Sequence, residues 1–260
     1  MIKVGFIGAG NMAGAMIKSL ISNNFTNSIV ASDINEDKLK SLRNELGIST
    51  TTNNQEVVDS AEMIVIAVKP QHIDDALSGI KVNEQIMISI AAGIPLSKLL
   101  RYVPRAVRVM PNTPALVGEM AGAYAFSEGF NEEEKKLVKE FLGVFGTVFE
   151  LEEKHIDAVT ALSGSGPGFL AYLLQGFLSK AVELGLNKDI AYELCLKTMK
   201  GTAELLSRKN LNPEDLIRMV ASKGGTTEAG LKVLEEKEVQ RILGECLEAA
   251  HKRSKELGKN

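Results

Sequence analysis

The sequence predicts a two-part chain, an α/β half built on a parallel sheet followed by an all-helical half. Three observations carry this expectation. Short apolar runs suited to buried strands alternate with helical spacing up to about residue 150. The first of these runs ends in a glycine turn that opens a helix. From about Glu152 the strand signal stops, and apolar residues recur only at helical spacing. The chain's 260 residues, 45% of them hydrophobic, are ample for buried cores. A net charge of −3 gives no broad attraction to phosphate backbones or anionic membranes, so neither nucleic acid nor a membrane is expected as a partner.

Val4-Gly5-Phe6-Ile7 reads as the first strand, and Gly8-Ala9-Gly10-Asn11-Met12-Ala13-Gly14 as a tight turn and a helix start. In a dinucleotide fingerprint the first glycine makes the turn and the second admits a pyrophosphate to the backbone. The third small residue, here Ala13, lets helix pack on strand. The helix amino terminus then faces the phosphates with free N–H groups. Ile7, Gly8, Ala9, Gly10, Asn11 and Met12 are the expected cradle. Helical spacing runs from Met12 to Leu20, and after a polar loop at Asn23 and Asn24 a second strand, Ile29-Val30-Ala31, closes in Ser32-Asp33. Asp33 lies twenty residues past Ala13, where the fingerprint places the acid that holds the adenosine ribose hydroxyls. The competing role for Asp33 is to cap the helix that starts near Asn35.

A helix from about Asn35 to Leu46 and a short segment near Val57 precede Met63-Ile64-Val65-Ile66-Ala67-Val68, a continuous apolar run of the kind buried in parallel sheets. It ends in Lys69-Pro70-Gln71, with Pro70 placed to start a helix. A fourth strand, Ile86 to Ile90, runs into Ala91-Ala92-Gly93, and a fifth, Ala106 to Val109, into Met110-Pro111-Asn112-Thr113-Pro114. Ligands bind beyond the carboxyl ends of such strands, so these loops are expected to face the cofactor, with Ala67 to Pro70, Ala91, Ala92 and Asn112 lining it. Small residues at Ala91 and Ala92 admit a flat ring or ribose. Lys69 is placed either to reach a phosphate, ribose or substrate carboxylate, or simply to face solvent. Strand-like pieces at Ala123 to Phe126 and Thr147 to Leu151 extend the sheet, with a charged helix from Asn131 to Phe145 between them.

The change of period sets a domain boundary between residues 152 and 153: a dinucleotide-binding domain over 1–152 and a helical domain over 153–260. In the helical half Leu170, Leu173, Leu174, Phe177, Leu178 and Ala181 form one stripe ending at Gly185. Ile190 to Leu206 is a second helix, and Asn212 with Pro213 is a cap and first-turn proline for a third. Val239, Ile242, Leu243, Cys246, Leu247 and Ala250 mark the last. Two glycine-rich stretches interrupt these helices, Ser163 to Gly168 and Ser222 to Thr227. In the second, the N–H groups of Gly224, Gly225 and Thr226 are positioned either as an anion nest for a carboxylate or as an ordinary turn capped by Thr226 or Thr227.

The three histidines are scattered without ligand spacing, so no metal site is expected. Two cysteines without disulfide spacing suit a reduced, cytoplasmic compartment. Carbonyl reduction usually needs a positioned acid, yet these loops offer hydroxyls and backbone groups. A C=N bond relaxes that demand, because a protonated imine is already an electrophile. Imine reduction is therefore consistent with the residues present.

The chain resembles the pyrroline-5-carboxylate reductases of proline biosynthesis over nearly its whole length. The resemblance lies in Val4 to Met12, Ala67-Val68-Lys69-Pro70, Ala91-Ala92-Gly93, Asn112-Thr113-Pro114, Asp157-Ala158-Val159-Thr160 leading into Ser163-Gly164-Ser165-Gly166-Pro167, and Gly224-Gly225-Thr226-Thr227 followed by Ala229-Gly230-Leu231. It implies a Rossmann-type domain and a hydride passed from NADPH or NADH to the ring C=N carbon, giving L-proline. It also implies that Thr227 hydrogen-bonds the ring nitrogen and that Gly225, Thr226 and Ser222 hold the substrate carboxylate. Asn54 and the Ala67 to Pro70 loop would line the dinucleotide. Family members pair through their helical domains, and some join five dimers into a decamer; the homodimer is what carries over here.

Two departures stand out. Lys223 replaces the proline that commonly precedes the Gly-Gly pair. Asp33 stands where NADPH-using relatives often carry a small hydroxyl residue, and a carboxylate there repels a 2′-phosphate, which predicts appreciable use of NADH unless Lys38 or Lys40 compensates. One alternative is a β-hydroxyacid dehydrogenase, but the catalytic lysine those enzymes place soon after the glycine turn is missing, since Phe169-Leu170-Ala171-Tyr172 follows and the next lysine is Lys180. The other is a dinucleotide-sensing protein without turnover, because fold alone never establishes catalysis.

Overall fold

The computed structural model describes residues 2–26 and 28–258. Its first half alternates as expected: β1 (Val4–Ile7), α1 (Asn11–Ser22), β2 (Ile29–Ser32), α2 (Glu36–Leu46), β3 (Ser49–Thr51), α3 (Asn54–Ser60), β4 (Met63–Ile66), α4 (Ile73–Leu77), β5 (Ile86–Ser89), α5 (Leu96–Leu99), β6 (Ala106–Met110), β7 (Met120–Phe126), α6 (Glu132–Gly143) and β8 (Gly146–Glu150). The second half is helical: α7 (Ile156–Val159), a π-helical turn Thr160–Gly164, α8 (Gly166–Glu183), α9 (Lys188–Lys209), α10 (Pro213–Val220), α11 (Thr226–Glu236) and α12 (Val239–Leu257).

The strands form one eight-stranded sheet in the order β3-β2-β1-β4-β5-β6-β7-β8. Neighbours from β3 through β6 are parallel, β7 runs antiparallel to β6, and β8 is parallel to β7. The order reverses between β1 and β4, which opens a crevice beyond their carboxyl ends. Alternating side chains feed two cores, one on each face of the sheet. Val4, Phe6, Val65, Ile88 and Val107 belong to one, and Ile7, Ile64, Ile66, Met87 and Ala106 to the other. Burial on both faces is why these strands read as unbroken apolar runs rather than alternating ones.

Two elements differ from the sequence expectation. β3 is a strand of Ser49-Thr50-Thr51 on the sheet's edge, where half-exposed β-branched residues suffice and no apolar run is needed. The Ser163 to Gly168 stretch is not an open interruption. It winds through the π turn, with Ser165 N–H donating to the Thr160 carbonyl (2.9 Å), directly into α8.

The chain divides into two compact units. The first runs through Pro167 and includes the chain again from Ala249; the second is Gly168–Glu248. This division falls later than the change of period at 152/153, because α7 is tied to the sheet. Asp157 on α7 accepts hydrogen bonds from the buried Arg108 of β6 (2.7 Å) and from Ser254 of α12 (2.9 Å).

Candidate active site

Within the first unit, sheet register brings the expected cofactor residues to one row. Ile7 stands opposite Ser32 on one side and Ile66 on the other, and Ile66 opposite Ser89. The residues that follow these strands, Gly8, Asp33 and Ala67, therefore share the carboxyl edge, with Ala91 one residue further beyond β5. Gly8 has φ +104°, and a Cβ there would lie 2.8 Å from the Ala67 carbonyl, so only glycine makes this turn. A Cβ at Gly10 would meet nothing within 4 Å. That open space lies at the amino terminus of α1, whose first turn carries no acidic residue and no side-chain cap. Such an end is suited to a pyrophosphate, so the residues present fit a dinucleotide.

Asp33 is fixed by two backbone donors: Ala9 N–H to Oδ2 (2.8 Å) and Asn35 N–H to Oδ1 (2.9 Å). The cap of α2 is Asn35, which accepts from Lys38 N–H, so Asp33 is not the helix cap. Its side chain remains 12% exposed, with the Lys38 ammonium 3.8 Å from Oδ2. Ala91 is buried and Ala92 half-buried; Ala67, Val68 and Pro70 are half-buried around the exposed Lys69. Two expected cofactor residues also bond within the scaffold. Asn54 accepts from the Ser32 hydroxyl (2.7 Å) and donates to the Ala76 carbonyl (3.0 Å). Asn112 accepts from Ala121 N–H (3.0 Å) and donates to Ser163 (3.2 Å), so its buried amide ties β6, β7 and the π turn together.

Within the second unit, Ser222, Gly224, Gly225, Thr226 and Thr227 fall on one turn at the start of α11. Gly224 has φ +71°. Gly225 N–H donates to the Ser222 carbonyl (2.9 Å), and a Cβ at Gly225 would lie 2.6 Å from the Ser222 hydroxyl oxygen. Gly224 N–H donates to the Glu228 carboxylate (2.7 Å). The expected nest is thus partly filled by the protein itself, and neither Thr226 nor Thr227 is the cap: Gly225 is, and it makes no side-chain bond. The half-buried Thr227 is one residue inside the helix, its hydroxyl free of capping duty. Sequence reasoning did not single out Glu228. Its signal is an acid three residues past the cap, the position from which a side chain reaches back to the turn.

A model described as pyrroline-5-carboxylate reductase dimerisation matches residues 153–257, and one described as NADP oxidoreductase, coenzyme F420-dependent, matches residues 3–93. The chain is 38% identical to a pyrroline-5-carboxylate reductase of Methanosarcina acetivorans, over 99% of this chain and 98% of the relative. It is 34% identical to that of Arabidopsis thaliana, over 99% and 96%. The crystal structure of the Plasmodium falciparum pyrroline carboxylate reductase with NADP bound superimposes with a TM-score of 0.91 at 30% identity, covering 99% of this chain and 98% of that one.

Proposed function

We infer, from the premise that this chain belongs to the pyrroline-5-carboxylate reductase family, that it reduces 1-pyrroline-5-carboxylate to L-proline with a reduced nicotinamide dinucleotide. When bound, the dinucleotide would supply a hydride to the ring C=N carbon, with the C=N π pair taken up at nitrogen together with one proton from water. The Gly8 to Met12 turn holds the pyrophosphate with the N–H groups that open α1. Asp33 accepts the adenosine ribose hydroxyls, and Ala67, Val68, Pro70, Ala91 and Ala92 shape the crevice wall. Lys69 supplies a positive charge at its mouth. Asn54 and Asn112 act from behind, by fixing the strand ends.

On α11, Thr227 hydrogen-bonds the ring nitrogen and orients the C=N bond. Ser222 and the N–H of Thr226 hold the carboxylate, while Gly224 and Gly225 give the turn its shape. The Ala9–Asp33 hydrogen bond carries the cofactor reading, because it closes the glycine turn on an acid at the sheet's switch point. Two backbone donors keep that carboxylate from swinging away from a 2′-phosphate, which favours NADH; Lys38 beside it moderates the repulsion.

Residues 1–152 make the dinucleotide domain and 153–260 the substrate-binding and pairing domain of a homodimer. Among Gly168–Glu248 only Ala191 is buried, so the apolar stripes of these helices support a second copy as their cover. Both cysteines stand as free thiols, which suits a cytoplasmic enzyme, and no helix among the described residues is long and apolar enough to cross a membrane.

The test is loss of reduced-nicotinamide absorbance on adding pyrroline-5-carboxylate, run in parallel with NADH and NADPH. The expected result is turnover with NADH at least as efficient as with NADPH. A strong NADPH preference removes Asp33 from control of the ribose pocket. Folded protein that binds dinucleotide yet turns over neither would sink the assignment.

A further inference from the structure

The loop after β5 is gripped by a distant part of the chain. Gly93 has φ +77°, and a Cβ there would lie 2.7 Å from the Leu257 Cβ and 3.1 Å from the Ser254 carbonyl oxygen. From the other direction, a Cβ at Gly258 would lie 2.5 Å from the Gly93 carbonyl oxygen and 3.5 Å from the Pro95 ring. The end of α12 thus rests against Gly93 to Pro95 with no room for an added methyl on either partner.

What holds α12 there is a partly buried polar chain. The Ser254 hydroxyl, in a residue only 2% exposed, donates to Asp157 Oδ1. The same oxygen accepts from Arg108, itself 4% exposed. Arg108 also donates to Glu153 Oε1 (3.2 Å), and that oxygen accepts the N–H of Leu96 (2.6 Å), the first residue of α5. Arg108 stands opposite Ser89 in the sheet, and the Ser89 hydroxyl accepts the N–H of Ala91 (3.4 Å). The segment is therefore bonded at its start to Ser89 of β5 and just past its end, through Leu96 and Glu153, to the Arg108 guanidinium, and its middle is pressed by α12. Every group in this chain lies in the first unit.

We propose that Ser254 and the end of α12 position the Ala91-Ala92-Gly93 loop for the dinucleotide, so that the last turns of the helical half set cofactor affinity. The inference rests on the reading of that loop as part of the cofactor crevice. Removing the Ser254 hydroxyl takes one of two hydrogen bonds from Asp157 Oδ1 in a half-buried setting, where an unmade bond is costly. Relief comes by letting α12 shift, and the loop shifts with it. Ser254 acts through the loop and touches neither ligand; it is a positioning residue, and its signature is a selective loss of dinucleotide binding.

The experiment titrates NADH fluorescence on the full chain and on Ser254→Ala. It adds amide hydrogen exchange over residues 91–96 and the KM for the imine. For Ser254→Ala the expected results are an NADH Kd raised about fivefold to tenfold, the scale of coupling between distinct sites, faster exchange confined to the loop, and an unchanged imine KM. A variant ending after Lys252 should show the same selectivity more strongly. Unchanged NADH affinity overturns the proposal, as does unchanged loop exchange. So does a rise in both constants with exchange accelerated across the whole sheet, which is what general destabilisation produces. Wild-type protein that binds neither NADH nor NADPH overturns the cofactor reading itself and the proposal with it, an outcome visible before any variant is made; where NADPH is the dinucleotide bound, the same titration is read with NADPH.

Discussion

Thr227 separates what a glycine turn supplies from what a side chain supplies. The turn before it satisfies its own donors, Gly224 through Glu228 and Gly225 through Ser222, whereas the Thr227 hydroxyl has no capping task. Thr227→Val keeps the branched shape and removes only the hydroxyl. It should lower kcat/KM for the imine by roughly 10²-fold, the scale of a positioned proton-transfer or orienting group, as read from steady-state rates at saturating dinucleotide. Wild-type rates would remove Thr227 from the site. At this scale the backbone constraints were legible in the sequence and the side-chain partners were not. Gly8 announced itself because one conformation admits only glycine. Asn54 is expected at the dinucleotide from the family resemblance and Asn112 from its place beyond β6, and neither expectation shows what else their amides hold. Those partners, Ser32 with Ala76 and Ala121 with Ser163, come from distant sequence.

Helix α6 shows the same at the scale of elements. The sequence shows a charged helix from Asn131; the structure adds a capping box of Asn131 with Glu134, both reciprocal bonds present (3.0 and 2.9 Å). The sequence does not show that Glu134 also receives Arg105, from the loop before β6, through both carboxylate oxygens (2.6 and 2.7 Å). Hydrogen bonds from that guanidinium, outweighing burial, hold the Glu134 carboxyl below its ordinary value of 4.5. A carboxyl depressed on folding stabilises fully above the unfolded value and ceases to do so as pH falls through the lower folded one. Glu134→Gln should therefore cost about 1.5 kcal/mol at neutral pH, the scale of a charge-assisted hydrogen bond. Urea midpoints of variant and wild type should converge well below pH 4.5. A gap that stays constant with pH would assign the loss to packing. Elements were most legible where burial imposes a pattern, as in β4, and least where it does not, as in the edge strand Ser49–Thr51.

For the whole molecule the contrast between the units matters most. The sheet unit holds both apolar cores, whereas Gly168–Glu248 buries one alanine and leaves Leu170, Tyr172 and Phe177 exposed along α8. The helical stripes were legible from periodicity; a sequence of one chain says nothing of what covers them. Phe177→Glu should weaken self-association at least about 30-fold, the cost of losing an interface hot spot of about 2 kcal/mol, read by sedimentation velocity across a dilution series. Wild-type protein sedimenting as a monomer at micromolar concentration would refute the pairing. The return of α12 to the first unit has a consequence for how the protein is made. A nascent chain leaves the ribosome amino terminus first, and its leading domain ordinarily folds while the rest is still being translated. Here all eight strands can be out while Asp157 still waits for Ser254 and Gly93 for Leu257. The sheet half is then the first begun and the last finished, and a message cut short near its end releases a protein whose sheet is whole and whose loop after β5 is not.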